Sequence, residues 1–324
     1  MLGPRVRIPS ESLFAESQNF SIMSIPRRAN PHVIIPLKES RIPKNKSFLL
    51  EKAHAYDRQY KWAWKCSLYA YNMAAKGGGI SKIKFESGDE NDIKGIILNV
   101  TTDEAMPSHA FVNGFNNYGI FELRFAFNNA DLADANDKKN VIYRVWTSLV
   151  HELAHCNIFW KRSINRQPFK EAGELYAIAT KVITDDTSSE NNILLYDFCY
   201  ACYSTYYQEI QALISEGFSS LLSYAKTQGV EKENITKEQF LDFLTHTKPY
   251  IAFHANLKLC KALNGKNGTR LKEKIIKDLD ELGYHFSEFS LNKKIKEIEE
   301  LSTDGLKLAY NNAYQWFYQS FGDN

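Results

Sequence analysis

No stretch of this 324-residue chain is apolar for long enough to span a bilayer, so a transmembrane role is not expected. Lys and Arg (40) barely outnumber Asp and Glu (38), and no basic block of the kind that grips phosphates stands out. A net charge of +2 offers little to draw nucleic acid. Cysteine is scarce and odd in number: Cys66, Cys156, Cys199, Cys202 and Cys260 fit a reducing compartment better than a disulfide framework. The N-terminus also lacks the charged-then-apolar layout of a secretory signal, because Pro4, Pro9, Glu11, Glu16 and Gln18 interrupt it. The expectation from these absences is a soluble cytoplasmic protein with neither nucleic acid nor membrane as a partner.

What is present is an ordinary globular composition, 44% apolar and 24% charged, on a chain long enough for a catalytic domain and a smaller helical one. Residues 1–45 show no apolar periodicity, with Pro, Ser and Arg recurring, and read as a poorly ordered segment in which Met23 is an alternative start. From Lys46 to Lys76 the spacing of Phe48, Leu49, Ala53, Tyr56, Tyr60, Trp64 and Tyr71 predicts a helix ended by Gly77-Gly78-Gly79. Strands are expected at 80–85, 93–100, 109–112 and 118–127. In the last, Phe121, Leu123, Phe125 and Phe127 alternate with Glu122, Arg124 and Ala126, and the Asn and Gly residues of 113–119 predict a hairpin turn before it.

Beyond Asp131 the chain reads helical: 138–161, 168–184, one long apolar helix over 191–226, and further helices after the polar break at 229–234. Thr236 and Gln239 have the spacing of a capping box. The fold class expected is α+β, with a small mixed sheet, a catalytic region over 46–228 and a helical C-terminal region over 229–324. Cys199-Tyr-Ala-Cys202 lies within an apolar helical run and reads as two core thiols.

The chemistry is carried by His151-Glu152-Leu153-Ala154-His155. Helical spacing of four stacks the two imidazoles on one face, where they can grip one metal ion. Nitrogen ligands at that separation suit Zn2+, with a third protein ligand and one open position for water. Glu152, the next residue round, can act as general base toward that water and then hand the proton to a leaving amine. Context supports the motif over coincidence. Val145, Trp146, Leu149, Val150, Leu153, Ile158 and Phe159 make the same segment apolar, and charged groups are costly to bury there without a partner.

These residues resemble the active-site helix of the zincin metallopeptidases, over roughly residues 80–220. The resemblance implies a zincin-like core, Zn2+ held by His151 and His155, Glu152 as the catalytic glutamate, and a protein or peptide substrate. The strand at 118–127 then comes where a sheet edge is wanted to hold an extended peptide. The metzincin continuation is absent, since Cys156-Asn-Ile-Phe-Trp-Lys-Arg162 carries no third His. A gluzincin-like glutamate ligand is expected instead, and two fit: Glu174, with Ala177 three positions on, and Glu209, with Ala212 three positions on. Glu209 is preferred because it sits among Tyr206, Ile210, Leu213 and Ile214, whereas Glu174 stands beside Glu171 early in a helix, where acids are favoured anyway.

Tyr203, Tyr206, Tyr207, His246 and His254 are the candidates to stabilise an oxyanion. The aminopeptidase Gly-x-Met-Glu-Asn motif is missing, which points to an endopeptidase. A bacterial effector delivered into another cell and a peptidase of a mobile element are both compatible with this reading. The alternative function is a catalytically silent, zinc-stabilised interaction protein.

Overall fold

The computed structural model describes residues 46–85, 93–103, 109–115, 119–133, 138–164, 174–184 and 193–321. The segment 1–45, expected to be poorly ordered, lies outside them. Helix α1 (Lys46–Ala74) gives way to Gly77, Gly78 and Gly79, all at positive φ, and the chain enters β1 (Gly79–Lys84). There follow β2 (Gly95–Asp103), β3 (His109–Phe115) and β4 (Ile120–Asn128). A short α2 (Asn129–Ala133) then leads into α3 (Lys138–Ile164). Next come α4 (Glu174–Thr184), α5 (Ile193–Ser204) and α6 (Tyr207–Thr227). The C-terminal helices are α7 (Lys237–Leu244), α8 (Lys248–Leu263), α9 (Gly268–Glu281) and α10 (Glu288–Phe321). The fold is therefore α+β, a small mixed sheet followed by helices. Among the described residues no helix is long and apolar enough to cross a membrane.

The sheet runs in the order β1-β2-β4-β3. β1 and β3 lie antiparallel to their neighbours, and β2 pairs parallel with β4, setting Leu98 beside Leu123 and Val100 beside Phe125. This corrects one expectation. The 118–127 strand is not an edge: β4 is paired on both sides, and among the described strands the edges are β1 and β3. Its alternation is as read, with Phe121, Leu123, Phe125 and Phe127 buried and Arg124 exposed, though Ala126 on the polar face is buried too. In the expected turn, Asn113 and Gly114 instead belong to β3, with a bulge between Val112 and Gly114, and 116–118 lie outside the described residues.

α3 packs against the sheet and α1 through Val141, Val145, Leu149, Leu153 and Cys156. At its far end, Trp160 closes on Gly119, which stands just before β4 at φ +71. A Cβ there would meet the indole at 3.0 Å, and the left-handed backbone disfavours any side chain. Gly119→Ala should therefore cost about 1–3 kcal/mol in a denaturant titration, by strain and overpacking together. A wild-type midpoint would show that neither operates.

α1 braces the other side. The Trp146 indole N–H donates to the Tyr60 carbonyl at 3.1 Å, and the Tyr60 hydroxyl donates to the Ser215 carbonyl of α6. One residue thus ties α1 to both long central helices. The C-terminal helices are woven in rather than appended: Phe240, Phe243, Leu244 and Ala313 share a core with the sheet residues, so packing runs straight across residue 229. The capping box forms as expected, Gln239 N–H donating to the Thr236 hydroxyl and Thr236 N–H to the Gln239 side chain.

A second correction concerns the long helix expected over 191–226. It is two helices, broken where Tyr206 turns to an extended conformation (φ −67, ψ 139). The Thr205 hydroxyl donates back to the Ala201 carbonyl at 2.6 Å and Ser204 does so at 3.4 Å, ending α5 with their own side chains. For the expected 168–184 helix, the described part starts at Glu174, and 168–173 lie outside the described residues.

Candidate metal centre

Helix α3 carries His151 and His155 one turn apart, with their Nε2 atoms 3.1 Å from each other. The break before α6 brings that helix alongside with Glu209 in its first turn. The carboxylate spreads across both rings: Oε2 lies 3.5 Å from His151 Nε2 and Oε1 lies 3.5 Å from His155 Nε2. Nitrogen and oxygen ligands about 2.0–2.1 Å from a tetrahedral Zn2+ stand about 3.3 Å apart. The separations here have that size, so the three side chains fit a zinc ion in their spacing and in their chemistry. They form the one group of His, Cys, Asp and Glu side chains among the described residues with ligand atoms close enough to share a metal.

Burial makes such a convergence expensive without a counter-ion. His155 and Glu209 are almost fully buried, and only His151, its side chain 16% exposed, reaches toward solvent. Glu216 is buried against His151 as well, and Glu152 is buried one residue along, its charge felt by Cys156 and Tyr203. The region thus gathers three buried carboxylates whose charge a dication would offset. His155 Nδ1 has no hydrogen-bond partner among the described residues.

Of the two glutamates weighed from sequence, Glu209 is the one at the histidines. Glu174 is exposed at the start of α4, and its charge is felt by Tyr284. The helix-dipole argument that separated them does not hold in the fold, because the break puts Glu209 in a first turn too.

Glu216 was not foreseen. It stands seven residues after Glu209, two turns along the same helix, and its Oε2 lies 3.3 Å from His151 Nδ1. A carboxylate on the far nitrogen of a ligating imidazole fixes its tautomer and orientation. The i, i+7 spacing was the available signal. Three tyrosines line the same region. The Tyr203 hydroxyl faces the Glu209 carboxylate, whose charge raises it, Tyr176 stacks on Tyr203 at 5.6 Å, and Tyr206 packs on Tyr176 at 4.3 Å. Burial and the charges of Glu216 and Glu209 raise the Tyr200 hydroxyl well above its ordinary range. Of the remaining oxyanion candidates, Tyr207 is exposed, His246 stacks on Tyr224 and His254 on Tyr250. Cys199 and Cys202 are buried free thiols, Cys199 pushed up to about 12 by burial, which makes them inert core residues.

The charges have a signature in the metal-free protein. Burial would raise Glu209, but the His155 and His151 imidazoles outweigh it and hold the carboxyl down at about 2. Burial would lower His151, but Glu216 and Glu209 raise it well above its ordinary value. Glu209 therefore contributes stability above its unfolded value of 4.5 that is lost as pH falls toward about 2. His151 contributes stability below its unfolded value of 6.5 that is lost as pH rises through its elevated folded value. Thermal melts of chelator-treated protein should peak between pH 4.5 and 6.5. Glu216→Gln should flatten the alkaline limb; a limb as steep as wild type would contradict the His151 assignment.

No protein family, no curated protein and no solved structure matches the chain, so the site has to be read from its own geometry.

Proposed function

We propose that the chain is a zinc-dependent metallopeptidase of zincin type, acting as an endopeptidase on a protein substrate. The observation that carries the reading is the meeting of His151, His155 and Glu209 at zinc-ligand spacing, with Glu152 next to His151 on the same buried helix. Bound there, Zn2+ would polarise a substrate carbonyl and acidify a water molecule. Glu152 accepts the proton released as the peptide carbonyl is attacked and returns it to the departing amine. Glu216 keeps the His151 ring in register.

An extended peptide can add to β3, an edge among the described strands, which packs beside α3 and is antiparallel to β4. Backbone pairing of this kind holds a chain without demanding a particular sequence. The five free cysteines suit work in a reducing compartment.

A second reading has one observation in its favour. His155 and Glu209 are sealed from solvent, as the ligands of a structural zinc are, and a silent zinc-stabilised interaction protein would need no more. Incubation with an unfolded protein such as casein separates the two. The peptidase should cleave it, lose activity to a chelator and regain it with zinc. A zinc-loaded protein that cleaves no unfolded chain would favour the silent scaffold.

A further inference from the structure

The sequence offered Tyr203 as an oxyanion-stabilising residue, but its surroundings assign it other work. It lies in the last turn of α5, only 7% exposed, and its hydroxyl faces the Glu209 carboxylate across the break between α5 and α6. Its ring is held flat against Tyr176, with an angle of 15° between the planes. Its own carbonyl accepts the Tyr206 N–H at 2.9 Å, so the residue belongs to the turn that launches α6.

The break is fixed from its other side as well. Asn256 of α8 donates through Nδ2 to the Ser204 hydroxyl at 2.9 Å and to the Ser302 hydroxyl of α10 at 3.1 Å. All three side chains are buried, and Ser204 is the final residue of α5. A buried polar network of this sort is costly unless satisfied, and once satisfied it admits few alternative geometries. Here it fastens the end of α5 to two C-terminal helices, five residues before Glu209.

We infer that the joint between α5 and α6 positions the third metal ligand, with Tyr203 orienting the Glu209 carboxylate and Asn256 pinning the joint to α8 and α10. Tyr203 is a positioning residue that acts through Glu209. The C-terminal helices thereby contribute to the metal centre without supplying a ligand. The inference rests on the metal reading of His151, His155 and Glu209, and it adds what holds that set in place.

Zinc affinity tests it, measured on the full chain by competition with a chromophoric chelator well below the melting temperature. Tyr203→Phe removes one oxygen and keeps the stacked ring, and should weaken zinc binding by about 10–100-fold, the usual cost of losing a group that orients a ligand. Asn256→Ala should weaken it about tenfold, and Ser302→Ala provides a milder variant should the first fold poorly. Cobalt in place of zinc should show a shifted visible spectrum in Tyr203→Phe, because the carboxylate ligand has turned. If wild type binds zinc and Tyr203→Phe binds it equally, with an unchanged cobalt spectrum, the positioning role is overturned and the metal site stands. If wild type binds no zinc, the metal reading falls and this inference with it.

Discussion

Glu209→Ala should leave the protein without zinc, and Glu174→Ala should leave it fully loaded. The first change removes the one carboxylate among the described residues that faces both imidazoles, its two oxygens each 3.5 Å from an Nε2 atom. Two histidines alone rarely retain zinc against a chelator, since structural and catalytic sites take at least three protein ligands. The substitution also leaves His151 and His155 buried 3.1 Å apart with their shared counter-charge gone. Breaking a buried charged pair in this way costs about 3–5 kcal/mol. Glu209→Gln, which preserves volume, separates lost metal from lost packing. Glu174 is exposed on another helix, and its removal should change stability by no more than about 0.5 kcal/mol. Loss of zinc in Glu174→Ala with retention in Glu209→Ala would reverse the assignment.

The second large effect is expected at Glu152. Glu152→Gln keeps the shape and the hydrogen-bonding reach of a side chain that is 4% exposed, so the helix should pack as before. Glutamine cannot accept a proton at neutral pH. Peptidase activity should therefore fall by about 10²–10⁴-fold while zinc content is unchanged. The pairing of those two results is what discriminates. A silent scaffold would show no difference between wild type and variant, and a misfolded variant would lose its zinc as well.

Much of the fold was legible because it rests on local periodicity. The 2-residue alternation of Phe121 to Phe127 and the 3.6-residue stripe around His151 each mark a buried face, and both elements form with those faces inside. Sheet order was not legible, because a central strand and an edge strand of this kind carry the same alternation. β4 is interior only because β3 returns to pair on its far side. The break at 204–206 was hidden for a different reason. The apolar pattern continues through it, and what ends α5 is the competition of the Ser204 and Thr205 hydroxyls for the carbonyls of the preceding turn.

The site divided in the same way. His151, Glu152 and His155 lie within one helical turn, so their spacing alone brings them together. Glu209 had to be chosen on burial, since its distance from the histidines depends on how α6 packs against α3. Glu216 shares a helix face with Glu209 by its i, i+7 spacing, but that spacing names no partner until the His151 imidazole is in place. Tyr176 came from yet another helix, and no local pattern ties it to the ring it stacks on.

The central claim is that these residues hold zinc. Elemental analysis of the purified protein, reconstituted with zinc and then dialysed, tests it most directly. About one zinc per chain is expected, as three side chains at this spacing require. A chain that is folded by circular dichroism yet retains no zinc would contradict it, and the peptidase reading would go with it.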